Sequence, residues 1–326
     1  MAEIIKKQTS EDGTLKFLLQ FSDGIQIETV LMTHAYGKSL CVSSQAGCNM
    51  GCSFCASGLI KKIRDLTADE MMDQFLTVSR EICKESDLED AMSGPARSEM
   101  EDVASGPNRS ETEDAASGPA PKISHVVVMG TGEPFDNYTE VLRFCDLISD
   151  PKIMGDPGLI APRHITVSTS GIIPKIYEFA ETKKRYNLAI SLHAPTNVLR
   201  DCLMPVNKKY PVEELIRAAY LYSQKTKRRV AFEYLLLSGV NDSEKEAKEL
   251  SELLSLEGRD ASDCFYVNLI PYNPVHEFGL RGSEKEMALK FYDVLMKHGI
   301  KATLRKEHGS DISAACGQLR LNQHLT

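Results

Sequence analysis

The sequence has no uninterrupted run of eighteen apolar residues, which excludes a helix that crosses a membrane. The amino-terminal stretch MAEIIKKQTSEDG also lacks the apolar core of a signal peptide, so we expect a cytoplasmic protein. Nine cysteines are too few for a disulfide scaffold in a chain of 326 residues. We expect them to be free thiols, metal ligands or catalytic groups.

The net charge of −8 is concentrated in one segment, residues 86–120, which holds nine acidic and two basic residues. This segment repeats with a twelve-residue period, as EDAMSGPARSEM, EDVASGPNRSET and EDAASGPA. Each repeat has few large apolar side chains and cannot bury enough surface to offset its ordering entropy. We therefore predict a disordered acidic insert within a folded domain. The rest of the chain is close to neutral, so charge alone excludes no nucleic-acid partner.

Outside the insert, strand-like runs alternate with amphipathic helical patterns. The strand-like runs are SLCVSS, HVVVMG, HITVSTS, NLAISLH, VAFEYLLL, FYVNLIPY and KATLRK. A helical pattern follows most of them, and the first one opens with Thr67 and Glu70 at the spacing of a capping box. This alternation predicts an α/β fold with parallel strands and helices outside them. A complete barrel, a partial barrel and an open doubly wound sheet all fit it.

Two further runs, TLKFLLQF and IQIETVLM, lie before the first unit and flank Ser-Asp-Gly. This pattern predicts a β-hairpin. In either α/β architecture the site lies at the carboxyl ends of the parallel strands, so the loops that follow them are where chemistry is expected.

The loop after the first parallel strand contains Cys48, Cys52 and Cys55 in a CxxxCxxC pattern. Three thiolates in one short loop suit a soft metal centre. Zinc usually has a fourth protein ligand, and no second Cys or His pair has that spacing here. A four-iron cluster held by three cysteines keeps one iron open to a ligand. Buried structural thiols and a structural zinc site remain as alternatives.

Small polar groups end the later strands, in VVVMGTGEP, VSTSG, ISLHAP and LIPYNP. Each by itself is compatible with an ordinary strand-end turn. Together they place several polar groups at one mouth of the predicted fold.

The three-cysteine motif, with Phe54 before its last cysteine, resembles that of the radical S-adenosylmethionine (SAM) superfamily. The chain also contains CVSSQAGC, MGTGEP, STSG, SLHAP, MPVNKKY, GVND, NLIPYNP and DISAACGQL. This ensemble resembles the RlmN/Cfr family of radical SAM RNA adenosine methyltransferases over nearly the whole chain except the insert. The resemblance implies a partial (β/α)6 barrel of the radical SAM type. It divides the chain into a β-hairpin extension at 1–36 and a core at 37–326, with the insert at 86–120 inside the core.

The resemblance also implies the site. Cys48, Cys52 and Cys55 would hold a [4Fe-4S] cluster. The SAM contacts carried over by position are Gly132, Glu133, Ser168, Ser191, Leu192, His193 and Asn273. The family methylates C2 or C8 of adenosine, in ribosomal or transfer RNA, through a methyl-cysteine. Cys316 matches the cysteine that carries the methyl group, and Cys41 matches the one that releases the product by forming a disulfide. Glu28 falls where the family has a proton acceptor.

The resemblance further implies an RNA substrate, a reductant such as flavodoxin and a monomeric enzyme. Basic clusters that would contact phosphates are Lys61-Lys62-x-Arg64, Lys183-Lys184-Arg185, Lys208-Lys209 and Lys225-x-Lys227-Arg228-Arg229. Each cluster is equally typical of a solvated helix end. We expect the usual amino-terminal helical domain of the family to be missing, and ribosomal RNA, transfer RNA and another structured RNA are all open as substrates.

Two other hypotheses remain compatible with the sequence. One is a radical SAM enzyme that modifies a protein or a small molecule. The other is a non-catalytic adaptor in which Cys48, Cys52 and Cys55 hold zinc and the acidic insert recruits a basic partner.

Overall fold

A computed structural model describes residues 2–92, 123–150, 160–255, 263–305, 308–314 and 318. Ten strands form one sheet. They are β1 (Glu3–Thr9), β2 (Leu15–Gln20), β3 (Gln26–His34), β4 (Gly37–Cys41), β7 (Ile123–Val128), β8 (Ile165–Thr169), β9 (Asn187–Ser191), β10 (Val230–Leu236), β11 (Phe265–Pro271) and β12 (Ala302–Leu304). A separate two-stranded ribbon pairs β5 (Gln45–Ala46) with β6 (Arg64–Asp65).

Seven α-helices connect or follow these strands in the described part of the chain. They are α1 (Ala68–Met92), α2 (Tyr138–Ser149), α3 (Ile173–Glu181), α4 (Asn197–Leu203), α5 (Val212–Thr226), α6 (Glu244–Leu254) and α7 (Lys285–Lys297). The capping box predicted at the start of α1 is confirmed. Thr67 Oγ1 accepts a hydrogen bond from Glu70 N at 3.2 Å, and Glu70 Oε2 accepts one from Thr67 N at 2.9 Å.

The parallel strands stand side by side in chain order, from β4 through β7 to β12. A doubly wound sheet reverses its strand order at a switch point. The order here never reverses, and right-handed crossovers of one sense place successive helices on the same face. The sheet is therefore a barrel-like arc with β1 and β12 as its two ends, and the predicted α/β class with a partial barrel is confirmed.

The antiparallel part of the sheet exceeds the predicted hairpin. β2 and β3 pair as expected, with Leu15 opposite Leu31 and Gln20 opposite Gln26. β1, which the sequence did not single out, pairs with β2, and β3 continues into β4 through a tight turn. β1 has few buried side chains, so it lacks the alternating apolar pattern that reveals a half-buried strand.

Two faces of the arc carry different side chains. Leu40, Val126 and Phe232 face outward into the large core beneath the helices. On the inner face, Phe54, Leu235 and Tyr272 form a second apolar cluster beside the cysteine loop. A third, small cluster joins Val30, Cys41 and Ala314. The inner face therefore combines apolar walls with the polar strand ends.

The expected acidic insert lies mostly outside the described residues, which resume at residue 123. The backbone of α1 runs to Met92, beyond the expected start of the insert at residue 86. Among the residues that the structure describes, no helix is both long and apolar enough to cross a membrane.

Candidate functional site

The three-cysteine loop lies between the two strands of the β5–β6 ribbon. Gly47 opens the loop with a φ of +80°, and a side chain there would place a Cβ 2.4 Å from the carbonyl oxygen of Lys61. Two backbone hydrogen bonds hold the loop, from Cys48 N to Ile60 O at 3.1 Å and from Ser53 N to Leu203 O at 3.0 Å. The loop is thereby fixed to α4 on the barrel side.

All three cysteines line one cavity inside the barrel mouth. Five of the expected SAM contacts line the same cavity, namely Gly132, Glu133, Ser168, Ser191 and His193. The cavity therefore gathers groups from the cysteine loop and from the ends of β7, β8 and β9. This is the convergence that parallel strands produce at their carboxyl ends.

Burial controls the protonation of the thiols in the metal-free protein. Desolvation raises the pKa of Cys48 to about 12, and the neighbouring Cys55 adds to the effect. Burial raises the pKa of Cys52 well above its usual value, while the cation of Arg200 opposes that rise. Metal binding requires the thiolate form, so loading the site would release protons.

The spacing of the three thiols bears on the kind of metal they suit. Within the described ranges, no three His, Cys, Asp or Glu side chains are close enough together to hold one metal ion. A four-iron cluster makes a different demand, because each cysteine binds a different iron. Three soft donors on one cavity wall fit such a cluster by their chemistry.

The Gly-Glu-Pro turn after β7 packs directly on the strand that precedes the cysteine loop. Gly132 has a φ of +115°, and a Cβ there would lie 2.7 Å from atoms of Ser44 and Gln45. Only glycine allows this approach, since any side chain would meet backbone or fixed neighbours. Glu133 N donates to Gln45 Oε1 at 2.9 Å, which fixes the turn.

The Glu133 carboxylate is buried and connects the ends of β7 and β8. It accepts hydrogen bonds from Phe135 N at 2.9 Å, Thr169 Oγ1 at 2.7 Å and Ser170 N at 2.7 Å. Burial raises the pKa of Glu133, and these three hydrogen bonds oppose that rise. A carboxylate has about four acceptor positions, so this one keeps capacity for one further donor in the cavity.

His193 has a left-handed backbone with a φ of +57°, which is uncommon for a residue other than glycine. Its Nδ1 atom accepts a hydrogen bond from Leu235 N at 3.0 Å, so Nε2 carries the proton of the neutral ring. The ring stands edge-on to Phe54 of the cysteine loop, with 4.8 Å between ring centroids. Desolvation lowers the pKa of His193 to about 3.

Arg200 on α4 was missed by sequence reasoning. Its guanidinium is fully buried and donates to Ser170 O at 2.6 Å, to Ser191 O at 3.0 Å and to Leu192 O at 3.0 Å. Desolvation lowers the pKa of Arg200 to about 10. The residue joins the ends of β8 and β9 below the cavity. The only sequence signal was an arginine in a short amphipathic stretch, which is usually a surface residue.

Two other cavity residues, Glu233 and Arg305, were also missed. Glu233 lies within β10, where the apolar run VAFEYLLL predicts a core strand. Burial raises the pKa of Glu233, and the nearby Arg305 cation opposes that rise. A lone acid in an apolar strand was the signal that could have identified this residue.

Leu192 and Asn273 are buried but do not belong to the described lining of the cavity. The backbone of Leu192 is fully engaged, since its N–H donates to Glu233 O at 3.0 Å and its carbonyl accepts from Arg200. A contact of these two residues with SAM therefore stays a prediction.

Cys41 ends β4 and is buried, in one small apolar cluster with Val30 and Ala314. Cys316 lies outside the described residues, but Ala314 precedes it by only two positions in the sequence. Glu28 on β3 is also buried, and its Oε1 lies 2.8 Å from Lys16 Nζ. Neither Cys41 nor Glu28 belongs to the described cavity lining.

The carboxyl-terminal segment 308–314 is fastened to the β1–β2 turn by several polar contacts. Asp12 Oδ2 accepts from Gly309 N at 3.2 Å and lies 3.1 Å from His308 Nδ1. Asp311 accepts hydrogen bonds from Ser10 and from the backbone of Glu11. Lys16 Nζ, besides its ion pair with Glu28, donates to Ser313 O at 3.0 Å. Residues at opposite ends of the sequence therefore meet beside Cys41.

The basic clusters have different surroundings. Lys62 and Arg64 are engaged with carboxylates, Asp136 at 2.7 Å and Glu70 at 2.7 Å respectively. Lys227, Arg228 and Arg229 line an open cleft at the amino-terminal ends of β10 and β11. That end is opposite the cysteine loop, so these residues do not belong to the cavity.

Comparison with known proteins now identifies the class. The sequence profile of the Radical SAM superfamily matches residues 111–250. A solved radical SAM methyltransferase from Sphaerobacter thermophilus superposes with a TM-score of 0.80 at 38% identity, covering 98% of this chain and 81% of that one. The fold is therefore that of a radical SAM methyltransferase.

Curated relatives narrow the assignment. A probable dual-specificity RNA methyltransferase RlmN of Enterococcus faecalis is 48% identical over 97% of this chain and 78% of its own length. Proteins of the same name from Listeria monocytogenes and Streptococcus thermophilus are 49% and 48% identical, over 76% and 71% of their lengths. The chain belongs to the RlmN family of radical SAM RNA methyltransferases.

Proposed function

We propose that this enzyme methylates an amidine carbon of adenosine in RNA, C2 or alternatively C8, through a methyl-cysteine on Cys316. The names of the relatives support the RNA substrate, since they are described as dual-specificity RNA methyltransferases. We propose ribosomal RNA and transfer RNA as the substrates, as the family resemblance implies. The proposal places the enzyme with these RNAs in the cytoplasm.

Cys48, Cys52 and Cys55 would hold a [4Fe-4S] cluster, and Gly132, Glu133, Ser168, Ser191 and His193 would hold SAM against it. The chemistry supplied by this bound pair is the one-electron cleavage of SAM that generates a 5′-deoxyadenosyl radical. The chain itself orients SAM and excludes water. The spare acceptor position of Glu133 suits the ammonium group of SAM, because Phe135 N, Thr169 Oγ1 and Ser170 N already fill three of its positions.

The presence of Ala314 and Cys41 in one small apolar cluster is the observation that carries the methyl-cysteine proposal. Two residues of extended chain span at most about 7 Å, so we propose that Cys316 works near Cys41. Cys316 would carry the methyl group as a thioether. After the carbon has bonded to adenine, the Cys41 thiolate would attack the Cys316 sulfur and form a disulfide. The bond between that sulfur and the carbon would break, and the carbon would leave with the electron pair and take up a proton to become the methyl group of the product.

Glu28 would accept the proton that leaves the adenine carbon during this release. The pair of Lys16 with Glu28 supports the proposal, because the same lysine also holds the backbone of Ser313. The proton acceptor and the segment that precedes Cys316 therefore share one anchor. We further propose that the enzyme is a monomer and receives its electrons from a flavodoxin-like reductant. In this proposal residues 37–326 form the radical SAM core, and residues 1–36 form an amino-terminal extension of strands.

The test compares the wild-type enzyme with Cys316→Ala on ribosomal and transfer RNA under anaerobic conditions. We expect Cys316→Ala to make no methyladenosine, by mass spectrometry of nucleosides, while it still cleaves SAM to 5′-deoxyadenosine. Cys41→Ala is expected to accumulate a covalent RNA–protein species on denaturing gels. Cys83→Ala, at an exposed cysteine, serves as the control with normal products. Methyladenosine formation by Cys316→Ala at the wild-type rate would contradict the proposal.

A further inference from the structure

Glu233 lies inside the barrel at the level of the SAM-binding strand ends. In the sheet register it stands beside Ser191 of β9 and Asn268 of β11. Its neighbours Phe232 and Tyr234 point to the helix side and belong to the main core. The Glu233 side chain points the other way, lines the cavity and is only 5% exposed.

The two oxygens of this carboxylate have unequal surroundings. Oε1 accepts a hydrogen bond from Asn268 Nδ2 at 2.9 Å, and Asn268 Oδ1 in turn accepts from Thr303 Oγ1 at 2.6 Å. Oε2 is buried and accepts no hydrogen bond from the described residues. Arg305 Nη1 forms an ion pair with Oε2 at 3.6 Å, a separation longer than that of an ordinary hydrogen bond.

Leaving a buried acceptor without a donor is unfavourable, and the penalty is larger for a charged group. The Asn268–Thr303 chain fixes the carboxylate and therefore prevents Oε2 from turning towards another protein donor. The arrangement is suited to a ligand that brings its own hydroxyl donor into the cavity.

We infer that Glu233 accepts a hydrogen bond on Oε2 from a ribose hydroxyl of an adenosine moiety bound in the cavity. A carboxylate is a well-established acceptor for ribose hydroxyls in nucleotide sites. The adjacent Ser191 is one of the proposed SAM contacts, so the adenosyl group of SAM is one source of the hydroxyl. The target nucleotide of the RNA is the other source. The inference rests on the proposed function for the identity of these two ligands.

The test measures ligand affinities of the cluster-loaded enzyme and compares the wild type with Glu233→Gln. S-Adenosylhomocysteine and its 2′-deoxy and 3′-deoxy analogues are titrated into the wild type and Glu233→Gln. We expect the wild type to bind one deoxy analogue about tenfold or more weakly than the parent, as expected for a hydrogen bond to a charged group. Glu233→Gln is expected to bind the parent correspondingly weakly and to lose this discrimination. A second arm repeats the comparison with RNA that carries 2′-deoxyadenosine at the target position.

If Glu233→Gln no longer discriminates between S-adenosylhomocysteine and its deoxy analogues, the hydroxyl belongs to SAM. If the variant loses discrimination only between the two RNAs of the second arm, the hydroxyl belongs to the RNA. Equal discrimination by the wild type and Glu233→Gln in both arms would overturn the inference. Iron content and circular dichroism establish that Glu233→Gln folds. Glu233→Asp has a shorter side chain, which moves the carboxylate away from the ligand, and we expect this variant to lose the discrimination as well. Glu214→Gln, at an exposed glutamate of α5, is the matched control. Because the first arm measures binding without methylation, a failure of the proposed function leaves its result interpretable.

Discussion

The Nδ1 atom of His193 accepts a hydrogen bond from the backbone N–H of Leu235, 3.0 Å away. This single contact connects the end of β9 to β10 and fixes the tautomer of a ring that borders the cysteine loop. It requires the neutral imidazole, because a protonated ring has no acceptor on Nδ1. The protein is therefore expected to lose stability when this histidine gains a proton.

His193→Asn tests this dependence on pH. The folded-state pKa of about 3 lies below the unfolded value of 6.5, so between these limits the unfolded chain binds the extra proton. The free energy of unfolding of the wild type thus falls as pH falls from 6.5, by up to about 1.4 kcal/mol per pH unit from this group. Asparagine tolerates the left-handed backbone and offers an acceptor oxygen.

We expect urea unfolding at pH 6 and pH 4 to show that the wild type loses roughly 2 kcal/mol more than His193→Asn over this interval. His276→Asn, at an exposed histidine, is the control and should behave as the wild type does. Parallel stability curves for the wild type and His193→Asn would disprove the assignment of a neutral, buried His193.

Arg200→Met removes the donor that three strand-end carbonyls share. We expect the free energy of unfolding to drop by about 3–5 kcal/mol, because the carbonyl oxygens of Ser170, Ser191 and Leu192 remain buried without this donor. Chemical unfolding measures the loss. Arg217→Met on the exposed face of α5 is expected to change stability by no more than about 0.5 kcal/mol. Equal midpoints for the two variants would show that Arg200 does not hold the strand ends together.

Gly47→Ala separates backbone strain from steric exclusion in the cysteine loop. Gly47 and Gly24 have almost the same φ, +80° and +84°, but only at Gly47 would a Cβ meet backbone oxygens, at 2.4 Å and 2.8 Å. Gly24→Ala is expected to cost about 1–2 kcal/mol and to bind iron normally after anaerobic reconstitution. Gly47→Ala is expected to lose more stability and to bind less iron, since the turn that positions Cys48 must shift. Full iron loading of Gly47→Ala would refute the steric argument.

Lys16→Met tests the anchor of the carboxyl-terminal segment. The variant removes the Lys16 ammonium beside the buried Glu28 carboxylate and the hydrogen bond that this ammonium donates to Ser313 O, so we expect a loss of about 3 kcal/mol in stability. We also expect methylation of Cys316, followed by peptide mass spectrometry, to fall at least about tenfold, which corresponds to about 1.4 kcal/mol. Lys6→Met, at an exposed lysine of β1, is the control. Normal Cys316 methylation in Lys16→Met would mean that the segment is positioned by other contacts.

The sequence determined which residue types carry the chemistry. Cys48, Cys52 and Cys55 are close in the chain, and the turn with Gly132 and Glu133 directly follows an apolar strand, so local spacing was sufficient to find them. The alternation of apolar runs and amphipathic helices likewise predicted the α/β class, because periodicity is a local property of the chain. It did not distinguish a barrel from a doubly wound sheet, since strand order is set by tertiary packing.

Only the tertiary structure decided what lies beside these residues. Arg200 and Glu233 look like a surface arginine and a misplaced acid in the sequence, and their roles depend on carbonyls and cavities formed by distant strands. Ala314 and Cys41 share one apolar cluster although 273 positions separate them, and Lys16 donates to Ser313 O across 297 positions. Such contacts leave no periodic signal in the sequence, because the closure of the sheet creates them. The local sequence pattern around either partner does not.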